Sequence, residues 1–137
     1  MTWRETWRET VESFLREVRD PAAPATGTPA ADPLVAAIAG ARAEVHAIER
    51  DLEVTRGRAL AEEESVGVCD RRRVQAERIG DAATARVAER FGRRHVDRLA
   101  VMLRKCDVLE DELRIARTTL NELLDLARAD APEVSRD

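Results

Sequence analysis

Four side chains in this sequence have the chemistry for nucleophilic, acid–base or metal-binding work: His46, Cys69, His95 and Cys106. A cysteine beside a histidine gives an activated thiolate. Two of each can hold zinc in a tetrahedral site. The 27 Asp and Glu residues add a third option, because a close carboxylate pair can share acid and base roles. Each of these uses requires the groups to meet in space. The sequence has no glycine-rich phosphate loop and no nucleophile elbow, so any chemistry must come from groups that the fold brings together.

The elements that would bring them together are helices. Leu34, Ile38, Ala41, Val45, Ile48, Leu52, Thr55, Ala59 and Glu62 follow alternating steps of four and three. That is the spacing of a coiled-coil seam. Val66 and Cys69 extend it, and Arg73 is expected to break it. A second stripe runs through Leu99, Leu103, Cys106, Leu109, Leu113, Ala116, Leu120, Leu123 and Ala127. Two successive steps of three across Cys106 predict a stammer that overwinds the pair locally. Asp32 suits the N-cap of the first helix, with Pro33 at its first position. Between the stripes lies RIGDAA, residues 78–83. Gly80 suits the left-handed position that ends a helix, and Asp81 the cap that starts another.

The expected fold is therefore all-α. A long antiparallel helical hairpin, a coiled coil, spans 34–129 with its tip near 79–82. It is preceded by a short amphipathic helix at 1–20 and a Pro/Ala-rich linker at 21–33. A polar tail follows at 130–137. Leu60, Val96, Val101, Met102 and Leu124 fall outside the seam and call for cover from another chain, another copy or the N-terminal helix.

In such a hairpin, facing residues have numbers summing to about 161. His46 then faces Ile115 and His95 faces Val66. Cys69 faces Gly92 and Cys106 faces Thr55. None of the four meets another, so neither a disulfide nor a Cys/His metal set is expected. The carboxylates occupy solvated helix faces. This pattern predicts no catalytic residues, no metal, no cofactor and no small-molecule substrate, and hence a non-enzyme.

Two stretches remain that suit binding. The first ten residues, MTWRETWRET, hold both tryptophans. Thr2 and Glu5 form a capping box. On a helix, Trp3, Trp7, Val11, Phe14, Leu15 and Val18 share about 120° of arc, opposite Arg, Glu and Thr. Tryptophan suits a boundary where one end of the ring is apolar and the other wet. The face could lie on a membrane, or dock on a protein or on its own hairpin. The second stretch is the tip. Residues 70–105 carry eleven basic and five acidic side chains, a net of +6, while the rest of the chain is −10. The basic groups nearest the turn are Arg71, Arg72, Arg73, Arg78, Arg86, Arg90, Arg93 and Arg94. They suit an acidic protein, lipid phosphates or the acidic end of a neighbouring hairpin, or they form a solvated tip. No nucleic-acid module is present, and Phe91 is the one aromatic near them.

The order of these parts resembles the phage-shock-protein-A family, whose members begin with an amphipathic helix and continue into a coiled-coil hairpin. LREVRDP (15–21) is similar to the end of that first helix and RALAE (58–62) to a stretch of the ascending one. Gly80-Asp81 with Ala85-Arg86 and Ala88 looks like the family's turn. Here the linker is longer and the ascending helix shorter. The resemblance implies a peripheral membrane-surface protein whose lipid-binding face is Trp3, Trp7, Val11, Phe14, Leu15 and Val18.

No apolar run reaches the roughly 18 residues that span a bilayer, and no signal peptide is visible at the start. Two distant cysteines fit a reducing compartment. The expected location is the cytoplasm, peripheral to the inner face of the cytoplasmic membrane. The expected role is structural or scaffolding, anchored by the N-terminal helix. Two alternatives stand beside it: an accessory subunit on the cytoplasmic face of a respiratory or photosynthetic membrane complex, and a soluble coiled-coil adaptor. The expected partners are accordingly a membrane surface, a membrane protein complex or a second helical chain, and no nucleic acid.

Overall fold

The computed structural model describes Glu5, Arg8, Glu9, residues 11–13, Arg16 and residues 32–131. The fold is all-α: two long helices, α1 (Pro33–Arg78) and α2 (Ala82–Asp130), pack together as a hairpin. No strand occurs among the described residues.

Side chains and one glycine set the helix ends. The Asp32 carboxylate accepts from Leu34 N–H at 3.1 Å, and its carbonyl accepts from Ala36 N–H at 3.2 Å. The first satisfies one of the donors left open at a helix start, and the second is the helix's own first backbone bond. α1 ends at Gly80, whose φ of +74° is open to glycine at no steric cost. Asp81 N–H reaches Ala76 C=O at 2.9 Å and Gly80 N–H reaches Glu77 C=O at 3.2 Å. That pair of bonds is a Schellman ending. Asp81 then caps α2, accepting from Thr84 N–H at 3.0 Å and from the Thr84 hydroxyl at 2.6 Å. One glycine and one aspartate thus reverse the chain within three residues.

The chain divides into two compact units. The first contains the start of α1, to His46, and the end of α2, from Ala116. Its core is Ala37, Ala41 and Leu123, with Leu34, Ile38 and Leu120 packed against them. Leu123 is 0% exposed. Small alanines on α1 let the leucines of α2 sink in, the knobs-into-holes logic of a seam.

The second unit, Ala47–Ile115, contains the turn. Ile48, Leu52, Thr55 and Ala59 of α1 are buried, as are Cys106 and Leu113 of α2. The Thr55 hydroxyl is satisfied by donating to the Asp51 carbonyl at 2.7 Å. Two expectations need correction here. Leu103 is not in the seam. It is 51% exposed, while Met102 is half-buried. The steps through Leu99, Met102, Cys106 and Leu109 are then three, four and three, so the heptad is regular and no stammer occurs. Position on the helix outweighs side-chain preference, and a flexible methionine fills the seam site. Nor does Arg73 break the seam, because Ala76, the next heptad position, is buried. On α2 the stripe reaches the turn through Ala85, Ala88, Gly92 and His95, each buried or half-buried. The heptad runs to both sides of the turn, but its last positions are small or charged.

Candidate functional site

The structure brings together one pair of groups with chemical potential. His95 Nδ1 lies 2.6 Å from Glu62 Oε2, with side-chain exposures of 23% and 22%. Both sit at heptad positions. His95 therefore meets Glu62, one turn farther from the tip than the expected Val66. The sequence carried the signal, since Glu62 lies on the α1 stripe and His95 extends the steps through Ala88 and Gly92. His46 is exposed and Cys106 is buried. Among the described residues no group of three His, Cys, Asp or Glu side chains could hold a metal ion.

Beside the pair the seam is thin. A Cβ built on Gly92 would lie 3.4 Å from the Cβ of Cys69, which places those two residues across from each other as the hairpin register requires. Small residues here leave a groove of about 360 Å³, lined among others by Val66, Cys69, Arg73, Ala88, Gly92 and Arg93. Cys69 is a free, half-buried thiol.

The basic residues of the tip fall into two groups. Arg73 is neutralised on its own helix, 2.8 Å from Asp70 and 2.8 Å from Glu77. The hydrogen bond to Asp70, then that to Glu77, raises its pKa and fixes its charge. Such a clamp lets a guanidinium occupy a seam position, its stem covering the seam and its head reaching water. Arg93 is paired with Glu89 at 2.8 Å. The others reach no carboxylate among the described residues. The Arg94 guanidinium lies over the Phe91 ring, 5.4 Å from its centre. Arg86 Nε donates to the Ala82 carbonyl at 3.3 Å. Arg71, Arg72, Arg78 and Arg90 are exposed. Ile79, at the apex between Arg78 and Gly80, is 80% exposed.

Of the proposed N-terminal face, Trp3, Trp7, Phe14, Leu15 and Val18 lie outside the described residues. The described neighbours Glu5, Arg8, Glu9, residues 11–13 and Arg16 are helical, and among them Val11 alone is buried.

No helix among the described residues is long and apolar enough to cross a membrane. Comparison of the chain with protein-family models, with curated proteins and with solved structures returns no match.

Proposed function

We propose that the chain is a non-catalytic helical scaffold that works at a membrane surface, anchored by its N-terminal helix. The observation that carries this reading is the one-sided polarity of that helix. Glu5, Arg8, Glu9, Glu12, Ser13 and Arg16 are exposed, while Val11 is covered within the chain, so that lipid binding requires this face to be released. Extended over Trp3, Trp7, Phe14, Leu15 and Val18, the same periodicity gives an interfacial helix. The resemblance to the phage-shock-protein-A family supports the reading. Its natural setting is the inner face of the cytoplasmic membrane.

Liposome flotation tests it. The full chain should float with phosphatidylglycerol vesicles, and Trp3→Glu with Trp7→Glu should weaken flotation severely. A wild-type chain that stays at the bottom of the gradient would overturn the reading.

One observation favours a second reading, an accessory subunit of a larger membrane protein assembly. Val101, Val108 and Ile115 recur every seventh residue on α2 and remain exposed at 38%, 56% and 50%. Such a stripe suits a second helix. Capture of a stoichiometric membrane complex from mild detergent would support this reading. Recovery of a non-membrane helical partner would point to an adaptor instead.

A further inference from the structure

We propose that the hairpin tip is a second, separate contact with anionic phospholipid, made by Ile79 and one face of α2. The inference rests on the membrane-surface reading above and adds a site around the turn, apart in sequence from the N-terminal anchor.

Arg86, Arg90, Arg94 and Arg98 recur every fourth residue of α2. At about 100° per residue the run from Arg86 to Phe91, with Arg90, Val87, Arg94 and Arg98 between, covers about 140° of the helix. The seam residues Ala85, Ala88 and Gly92 lie outside that arc. The face carries one acid, Asp97, at its end away from the turn. Like charges four residues apart destabilise a helix, and none of these four arginines is relieved by a carboxylate among the described residues. Arg86 bonds a backbone carbonyl, Arg94 covers Phe91, and Arg90 and Arg98 are exposed. Arg73 and Arg93, off this face, are paired. The molecule thus neutralises some tip arginines and leaves a ladder of others open, which is the charge complement of a phosphate-rich surface.

The apolar neighbours decide which surface. Val87 and Phe91, four residues apart, are 53% and 47% exposed, and Ile79 at the apex is 80% exposed. A duplex would take the arginines and leave these three in water. One aromatic ring is a poor platform for stacking bases. A bilayer takes both kinds of side chain: guanidinium groups at the phosphates, with Val87, Phe91 and Ile79 entering the headgroup–acyl boundary.

The test uses the full chain with Trp3→Phe and Trp7→Phe, so that a single indole introduced by Ile79→Trp reports on the tip alone. Its emission should shift to the blue with phosphatidylglycerol-containing vesicles and not with phosphatidylcholine alone. Phe91→Trp in the same background should respond likewise. Adding Arg90→Gln and Arg94→Gln should raise the lipid concentration at half-shift about twenty-five-fold, from a loss of about fivefold per arginine. If the chain co-sediments with the vesicles while neither indole shifts, the N-terminal anchor stands and the tip proposal falls. A chain that binds no vesicle overturns both readings. A shift with duplex DNA but not with vesicles overturns the tip's assignment to lipid.

Discussion

In the first unit the heptad positions include Leu34, Ile38, Ala41, Leu120 and Leu123, whereas those beside the turn hold Glu62, Val66, Cys69, Arg73, Ala76, Ala85, Ala88, Gly92 and His95. The spacing is the same and the filling is not. Each aliphatic side chain in the first set removes apolar surface from water, about 25 cal/mol per Å². In the second set, small residues bury little and leave a groove, and the charged ones must be satisfied by Glu62 with His95 and by Asp70 and Glu77 with Arg73. Spacing therefore sets the path of the seam, and filling sets its strength. The weakly filled stretch coincides with the unpaired arginines, as expected if contact surfaces are drawn from the less stable parts of a fold.

The strongest test of this contrast is Leu123→Ala. Leu123 is fully buried against alanines that cannot close the gap, so the loss should be about 2–5 kcal/mol in urea unfolding. A smaller loss than from any substitution beside the turn would remove the distinction between the two regions.

Glu62 and His95 come next. Replacing one partner by leucine leaves the other half-buried without its bond, which should cost about 1–3 kcal/mol. Replacing both should be close to neutral or stabilising, because a paired polar couple often loses to well-packed apolar residues. A double-mutant cycle measures this directly. Equal, additive losses in the two single variants would show that the 2.6 Å contact contributes no coupling.

Glycine gives a finer comparison. At Gly57 an added Cβ meets nothing within 4 Å, and at Gly92 it meets Cys69 at ordinary contact distance. Both sit in helix interiors, where alanine is better by about 0.5–1 kcal/mol. Gly57→Ala and Gly92→Ala should each stabilise by that amount in thermal melts. Gly92→Ala should also protect Cys69 from thiol reagents by filling the groove. If Gly92→Ala destabilises instead, the two helices approach too closely there to admit a methyl group.

The sequence made the hairpin legible because burial along both helices follows one period, and because Gly80 and Asp81 carry distinct turn and cap chemistry. Where reading by residue type replaced reading by position, it erred. Residue type favours leucine at 103 over methionine at 102, and a lone arginine at 73 reads as a break because it says nothing of the clamp from Asp70 and Glu77. The expected register holds at Cys69 and Gly92, whereas the Glu62–His95 pair forms because two long side chains reach along the seam, which facing numbers alone do not provide. The tip's excess charge was visible in composition. Which arginines are neutralised depends on side-chain geometry, and that division is what singles out the α2 face.

The smallest expected effect is at the turn itself. Asp81 is held below the usual carboxylate range by the Thr84 hydroxyl first and the Thr84 N–H second. A carboxyl with a lowered folded-state pKa adds stability that is fully present above its unfolded value of about 3.9. That stability is lost as pH falls through the folded value. Asparagine caps a helix about as well as aspartate, so Asp81→Asn removes the charge and keeps the cap. Urea midpoints for the wild type should exceed those of the variant slightly near neutral pH, and the two should converge as the pH is lowered below the unfolded pKa. A gap that stays constant even below the folded-state pKa would mean that the charge of Asp81 adds nothing to the turn. The cap would then act through hydrogen bonding alone.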